Sequence, residues 1–233
     1  MPSSPLPIRL HTPSRAPLLI AAMAALAFAV VAVAIRKGSA LVQWDTAIGM
    51  WFAANSSAIG TRVMTIVSLL NNEIAMLGYA VALAYWLFVT RRYFWSLVAF
   101  WAIPSGMAVN FAVKHVFMRA RPSFGLAQQA LGTYSFPSGH TEGAMLCYGV
   151  LICALLSGTP TPARRLAAAA CAAMIILVGF SRVYLGAHYF SDVVGAALEG
   201  ICWLALVVAW RDARTRAHRA ARPRLGAALM NGR

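Results

Sequence analysis

A histidine and an aspartate near the carboxyl end of the chain have a spacing that suits imidazole chemistry. His188 and Asp192 are four residues apart, and Arg182 precedes them, between two long apolar runs. Residues at this spacing lie on one face of a helix, so at the start of the following helix Asp192 could hydrogen-bond one imidazole nitrogen. The other nitrogen could then act as a base, a ligand or a nucleophile. Taken alone, the stretch fits a structural role, with Arg182 as an interfacial anchor and His188 and Asp192 as a polar pair at a helix end, as well as it fits a reactive site.

Two further polar groups precede this stretch. Lys114 and Arg121 are seven residues apart, which places both on one side of a helix that we expect Pro122 to end. The segment Pro137-Ser138-Gly139-His140 begins an apolar run, and a helix start offers unpaired N–H groups and the positive end of the helix dipole to an anion. Each group alone could be a set of snorkelling anchors or a plain helix cap.

The composition indicates that a membrane surrounds these groups. Of the 233 residues, 61% are hydrophobic and only 11% are charged, and the apolar runs approach the ~20 residues that cross a bilayer. The net charge of +14 could suggest a nucleic-acid partner, but seven of the 20 basic residues lie in the tail from Arg211 to Arg233. Beside a bilayer such a tail anchors to anionic lipid, so we expect no nucleic-acid partner.

Apolar runs predict an all-α fold, a polytopic bundle of six transmembrane helices. Before them, residues 1–16 predict a disordered cytoplasmic lead, and residues 211–233 after them a basic cytoplasmic tail. Gly38 to about Arg62 contains Trp44, Asp45 and Trp51, which favours an amphipathic segment at the interface. The first run is too long for the core of a cleaved signal peptide, about 7 to 15 residues. The predicted spans, within a domain covering 17–210, are 17–35, 74–90 (with a lead-in helix at 63–70), 94–117, 141–156, 165–180 and 190–210.

The distribution of basic residues predicts the orientation of this bundle. With six spans, the amino-terminal lead, Arg91-Arg92, Arg164-Arg165 and the carboxyl-terminal tail fall on one side. Cytoplasmic loops carry excess Lys and Arg, so that side is predicted to be the cytoplasm. All three polar groups then converge on the opposite face of the membrane. Anchors and helix caps, which could explain each group alone, do not explain why the three groups meet.

Together these groups resemble the three-part signature of the type 2 phosphatidic acid phosphatase superfamily. The matching pattern is Lys114-x6-Arg121-Pro122, Pro137-Ser138-Gly139-His140 and Ser181-Arg182-x5-His188-x3-Asp192, in the superfamily's order and spacing. The resemblance covers roughly residues 17–210 and implies a six-helix membrane phosphatase with an extracytoplasmic active site. Tyr134 to Thr141 also looks like the corresponding segment of phosphatidylglycerophosphate and undecaprenyl pyrophosphate phosphatases.

The resemblance also implies residue roles. Phosphate ester cleavage needs an in-line nucleophile, a proton donor and positive charge around the phosphoryl oxygens. His188 is the expected nucleophile, forming a phosphohistidine, with Asp192 orienting it and His140 protonating the leaving group and then activating water. The substrate is expected to be a membrane lipid phosphate or pyrophosphate. The expected phosphate-binding residues are Lys114, Arg121, Ser138, Gly139 and Arg182.

Other functions remain open at this stage. Two histidines and a carboxylate could form a metal triad, but converging cations favour a bound anion, so we expect no metal or other cofactor. A phosphotransferase would pass the phosphoryl group to a second lipid, and a non-catalytic lipid-binding or transport bundle would use the same membrane fold. Vanadate haloperoxidases share such a pocket but are soluble. The sequence does not rank the roles of Glu73, Glu142 and Glu199, which could cap helices, pair between helices or contact a headgroup.

Overall fold

The computed structural model describes residues 15–124 and 133–230, with side chains described as far as residue 215. These residues form helices joined by short connections, and no strand occurs among them. The all-α class is therefore confirmed. The helices are α1 (Ala16–Arg36), α2 (Ala40–Asn55), α3 (Ala58–Leu70), α4 (Glu73–Val89), α5 (Tyr93–Phe117), α6 (Gly139–Leu156), α7 (Pro162–Tyr184) and α8 (Phe190–Met230).

The predicted number of membrane spans agrees with the helices of the described chain. Five helices are long and apolar enough to cross a bilayer: α1, α5, α6, α7 and the portion of α8 up to Thr215. The pair α3 and α4 passes the same test together, but its axis bends by 51° at the break between them, so it counts as a sixth span only if both helices are taken as one. The lead-in helix predicted at 63–70 is thus the end of the longer helix α3.

Side-chain hydrogen bonds hold the break between α3 and α4. Asn72 caps α4 by accepting a hydrogen bond from the Ala75 amide at 2.8 Å, which satisfies one of the unpaired donors of a helix start. The Tyr148 hydroxyl of α6 donates to the side-chain oxygen of Asn71 at 2.8 Å. Because the break is tied to a neighbouring helix, the position of Glu73 at the start of α4 is fixed relative to α6.

The core lies where α4, α5 and α6 meet. Met76 and Leu87 of α4, Ile103 of α5, and Leu146 and Val150 of α6 are fully buried. Helix α6 also contacts α7 and α8, so it is the central helix of the bundle. Its glycines permit this close approach, since a Cβ at Gly143 would lie 2.9 Å from Cγ of Met76.

The segment predicted to lie at the interface as one amphipathic stretch is divided between two helices. Residues 38–62 are not one amphipathic segment but contain all of α2 and the start of α3, with a break at residues 56 and 57. Trp44 and Trp51 of α2 are exposed, but Asp45 between them is buried. The Asp45 carboxylate accepts a hydrogen bond from the amide of Ser191 in α8. Helix α2 therefore supplies a polar group to the protein interior.

The predicted ends of the chain meet the structure only in part. Residues 1–14 of the lead predicted at 1–16 lie outside the described residues. Its last residue, Ala16, is the first residue of α1. The basic tail predicted from Arg211 continues the helix α8 to Met230. The four cysteines are unpaired thiols, and Cys147 is buried in the core.

Candidate active site

The predicted site residues meet at one end of the bundle. Lys114 lies in the last turn of α5, Gly139 and His140 begin α6, Arg182 is in the last turn of α7, and Asp192 is in the first turn of α8. Successive spans run in opposite directions, so the end of one span and the start of the next lie at the same end of the bundle. The three sequence motifs therefore form one polar cluster.

His188 lies between two residues that define its tautomer. It precedes α8 by two residues and is almost completely buried, so it lies just outside the helix in which we expected it. Its Nδ1 lies 3.3 Å from Oδ2 of Asp192, and its Nε2 lies 3.0 Å from a guanidinium nitrogen of Arg121. Arginine can only donate, so Nε2 is an acceptor with a lone pair and the proton resides on Nδ1, which donates to Asp192.

Asp192 is surrounded by hydrogen-bond donors. Besides His188, its carboxylate accepts from the Arg119 guanidinium at 2.6 Å, the Ser135 hydroxyl and the Tyr189 amide at 2.9 Å. A carboxylate held by this many donors stays ionised and keeps one orientation. Asp192 is therefore placed to hold the orientation of the His188 ring.

Arg119 and Asp45 complete this network, and the sequence analysis did not select either as a site residue. Arg119 bridges two buried carboxylates, Asp192 at 2.6 Å and Asp45 at 2.8 Å. Its guanidinium carbon also lies 4.1 Å from the centroid of the Tyr189 ring. Asp45 in turn accepts from the amide and the hydroxyl of Ser191. The only sequence signal was a basic residue on the face where basic residues are disfavoured.

Lys114 is buried and held by the loop that precedes α6. Its ammonium group donates to the carbonyl oxygens of Tyr134 at 3.1 Å and Pro137 at 2.6 Å. An ammonium group has three protons to donate, so these two bonds leave one for a further acceptor. The lysine both anchors the Pro137–His140 turn and brings positive charge to the site.

Lys114 and Arg121 do not share a helical face, so this prediction is wrong. Helix α5 ends at Phe117, four residues before Arg121, and Met118 adopts a left-handed conformation with φ of 45°. A residue in this conformation ends a helix, before Pro122 can do so. Arg121 therefore reaches the site from a loop.

The contacts of Arg121 nevertheless place it at the reactive nitrogen of His188. Its Nε donates to the Thr133 carbonyl at 2.7 Å, and one terminal nitrogen donates to the Ala187 carbonyl at 2.9 Å as well as contacting His188. Burial lowers the pKa of the Arg121 guanidinium below its ordinary value. Arginine remains charged even so, because its pKa lies far above neutrality.

Arg182 brings a third buried cation. One terminal nitrogen donates to the hydroxyl of Ser68 in α3. Its Nε is buried and has no hydrogen-bond partner among the residues that the structure describes. A buried donor without a partner is costly, so an acceptor that reaches this nitrogen would be bound favourably.

The turn that begins α6 presents backbone donors and a second histidine. Ser138 is the N-cap residue, yet its side chain makes no capping bond and instead accepts from the Thr141 hydroxyl at 3.0 Å. Its amide donates to the Asp192 carbonyl at 3.1 Å, which ties α6 to α8. His140 is partly buried, within electrostatic range of Arg182 and His188. The sequence thus located both histidines correctly at one site.

A second polar cluster lies deeper in the bundle. Asn110, one turn before Lys114 on α5, donates to Glu142 of α6 at 2.6 Å and to Glu199 of α8 at 3.0 Å. One oxygen of each carboxyl group is buried without a partner among the described residues. Of the roles that the sequence left open for these two glutamates, interhelical pairing is the one observed.

An apolar cavity of about 540 Å³ adjoins the polar cluster. It lies between α2, α6, α7 and α8. Thr141 and Val183, which line it, are sequence neighbours of His140 and Arg182. The other lining residues are Ile48, Phe52, Met145, Ile175, Ile176, Gly179, Phe180, Phe190, Val193, Val194 and Ala197.

The environment of His188 favours a neutral imidazole. Burial lowers the pKa of His188 to about 3, although the hydrogen bond to Asp192 opposes this shift. A neutral imidazole with a lone pair on Nε2 is a competent nucleophile. Among the described residues, no group of three or more His, Cys, Asp or Glu side chains is placed to hold a metal ion.

The fold and the site define a class: a polytopic helical membrane protein in which buried cations surround an oriented, neutral imidazole. The chain belongs to the PAP2 superfamily, whose sequence profile matches residues 95–216, just over half of its length. It is accordingly a membrane phosphatase. The matched residues include both histidines and every cation of the cluster.

Two comparisons, one of sequence and one of structure, both lead to Bacillus subtilis. The phosphatidylglycerophosphatase B of strain 168 is 29% identical over 149 residues, which are 63% of this chain and 72% of the relative. A crystal structure of a transmembrane PAP2-type phosphatidylglycerolphosphate phosphatase is 26% identical, with a TM-score of 0.75, and the match covers 85% of this chain and 96% of that one. The agreement over nearly the whole of the solved chain confirms the transmembrane helical fold.

Proposed function

We propose that the chain hydrolyses a lipid phosphate or pyrophosphate monoester through a phosphohistidine on His188. The observation that supports this most directly is the placement of the His188 ring, which donates through Nδ1 to Asp192 and presents the lone pair of Nε2 beside Arg121. Attack of Nε2 on phosphorus forms the P–N bond as the P–O ester bond breaks. The phosphoryl group is then held on a histidine rather than released directly.

His140 is the proposed proton donor and acceptor of the reaction. The negative charge of a bound phosphate favours the protonated imidazole, which gives its proton to the leaving lipid oxygen. In the second half, His140 takes a proton from water as the water oxygen attacks phosphorus and the P–N bond breaks. Inorganic phosphate leaves, and His188 returns to its neutral state.

The cations and the α6 turn are the proposed phosphate-binding group. Within the described part of the chain, Lys114 retains one unused donor and the Nε of Arg182 has no partner. The amide of Gly139 lies at the positive end of the α6 dipole. Arg121 would move from Nε2 of His188 to a phosphoryl oxygen as the substrate enters. The Ser138 hydroxyl would supply a further donor.

The proposed substrate is a lipid whose phosphate lies at the bilayer surface. The relatives are named for phosphatidylglycerophosphate, and phosphatidic acid and undecaprenyl pyrophosphate carry the same reactive group. The test is phosphate release by the purified protein in detergent from these three lipids, with His188→Ala as the inactive reference. Near-normal turnover by His188→Ala would refute the phosphohistidine, and transfer to lipid without phosphate release would indicate a phosphotransferase.

The proposed site faces the extracytoplasmic side. Arg92, at the opposite end of α6 from Ser138, donates to the Ala154 carbonyl, and basic residues at that end favour the cytoplasm. In a variant without native cysteines, a cysteine at the exposed position Ala58, near the site, should react with an impermeant thiol reagent in spheroplasts. A cysteine at Thr159, in the loop between α6 and α7, should not. The reverse pattern would overturn the orientation.

A further inference from the structure

The carboxylate of Glu73 stands against the amino end of α6. Glu73 is the first residue of α4, and a Cβ added to Gly139 would collide with its Oε1 atom. The carboxylate therefore lies against the α6 backbone, in the space that a side chain at position 139 would need. The N–H groups and dipole of a helix start attract an anion to this position, and here the anion is part of the chain.

Glu73 also faces the three cations of the site. It lines a pocket of about 80 Å³ together with Lys114 and Gly139. It interacts electrostatically with Lys114, Arg121 and Arg182. Two other carboxylates act on Lys114, but Asp192 is already occupied by its own donors and Glu142 accepts from Asn110 deeper in the bundle. Glu73 is thus placed to neutralise the charge that a phosphoryl group would meet.

Little holds the carboxylate there. No hydrogen bond or close ion pair joins Glu73 to another residue in the part of the chain that the structure describes. The residue is exposed on its other side, so its flexible side chain can leave the pocket without breaking a specific bond. This contrasts with Asp192, which is fully buried.

We propose that Glu73 is a displaceable counter-ion that competes with phosphate for the pocket. The proposal rests on the proposed phosphatase function. A phosphoryl group that enters must displace the carboxylate or bind against its charge, and either event weakens the binding of phosphate. The same competition acts on the inorganic phosphate formed at the end of the reaction. Glu73 therefore favours release of the product from a site with three cations, two of them buried.

The test is inhibition of Glu73→Gln by orthophosphate and by vanadate, in the full-length protein with a long-chain lipid phosphate as substrate. Glutamine keeps the shape of the side chain but removes its charge. We expect both inhibitors to bind at least threefold more tightly than to the unaltered protein, with Glu73→Asp intermediate. The control is Asp212→Asn, the same change of charge on α8 about 30 Å along the helix from Asp192, which should leave inhibition unchanged.

Two results would overturn the proposal that Glu73 is a displaceable counter-ion. Unchanged or weaker inhibition of Glu73→Gln would show that the carboxylate does not compete with phosphate. A raised KM for the lipid with unchanged inhibition would indicate that Glu73 contacts the headgroup instead. Calorimetric binding of orthophosphate to His188→Ala, with and without Glu73→Gln, measures the competition without turnover. A failure of the proposed catalytic route is thereby separated from a failure of this inference.

Discussion

Arg121 donates to Nε2 of His188 across 3.0 Å, so the arginine covers the nitrogen that would attack phosphorus. This contact is possible only if Nε2 carries a lone pair, and it therefore depends on the Nδ1 proton being held by Asp192. Asp192 thus sets the tautomer of His188, while Arg121 contacts the nitrogen that carries the lone pair. In the proposed reaction, a phosphoryl group that draws Arg121 away would expose Nε2 of His188 for attack on phosphorus.

The first prediction concerns Asp192→Asn. The side-chain amide of asparagine would place N–H donors opposite the donors of Arg119, Ser135 and His188. The His188 ring would then lose the acceptor that fixes its tautomer. We expect kcat to fall about ten-thousandfold, the scale seen for the same change of the aspartate in Ser-His-Asp triads, with a smaller change in KM. Phosphate release in detergent measures both constants. A variant with kcat within tenfold of the unaltered protein would remove Asp192 from the mechanism.

The second prediction concerns Arg119, which acts through Asp192. Its removal leaves Asp45 and Asp192 as buried carboxylates without their common partner, which costs about 3–5 kcal/mol. Arg119→Ala should therefore lower both the thermal unfolding midpoint and kcat. The double variant Arg119→Ala with Asp45→Asn should regain stability because one uncompensated charge is gone. An Arg119→Ala protein as stable as the original would show that the bridge is unimportant.

Arg119 and Asp45 also show what the sequence could not predict. The three motifs located both histidines, Asp192 and the three cations, because each element has a distinctive type and spacing. Asp45 lies far from Arg119 in the chain, and their contact depends on how α2 packs against α8. Beside Trp44 and Trp51, Asp45 had the composition of an interfacial segment. Hydrophobic patterning does not show which single polar residue of such a segment turns inward.

The helix ends show a second reason for errors. The spans were located within a few residues because their apolar runs are long. The end of α5 was not, since Met118 in a left-handed conformation ends the helix before Pro122, and methionine is not a residue that signals this geometry. The prediction placed Arg121 on the wrong kind of element but at the right end of the bundle. A loop can also bring a long side chain to the site.

The third prediction is a pH dependence of stability that comes from His188. Burial holds its pKa at about 3 in the folded protein, whereas the unfolded chain takes up the proton near pH 6.5. The unfolded state therefore binds more protons between these values, and folding stability is lost as the pH falls below 6.5. At pH 5 the loss is about 2 kcal/mol.

His188→Asn, which cannot titrate, isolates this effect. Thermal unfolding in detergent should show a larger drop in midpoint between pH 7 and pH 5 for the unaltered protein than for the variant. The comparison is between the two pH dependences, because the substitution changes absolute stability by itself. Equal drops in both proteins would mean that His188 is protonated when folded.

The fourth prediction concerns metal chelation. The cationic pocket suits an anion, so activity should persist in EDTA, and vanadate, which mimics pentacoordinate phosphorus, should inhibit. The measurement is phosphate release before and after dialysis against the chelator. Loss of activity that a divalent ion restores would instead favour a metal held by the histidines.

The last prediction links the apolar cavity to the choice of substrate. The cavity of about 540 Å³ adjoins the site through Thr141 and Val183 and is apolar along its length, so it can hold a lipid chain while the phosphate lies among the cations. Binding energy from the chain would help to position phosphorus. Short-chain, water-soluble phosphates should therefore be turned over poorly.

Ala197→Phe fills part of this cavity without touching the polar cluster. We expect kcat/KM for a long-chain substrate to fall at least tenfold, since the chain loses its place, while kcat/KM for a short-chain phosphate stays within twofold. Ala167→Phe, an equal enlargement at an exposed position of α7 that does not line the cavity, should change neither value. Equal losses for both substrates in Ala197→Phe would point to a distorted site, and no loss for either would place the lipid chain elsewhere, between other helices of the bundle.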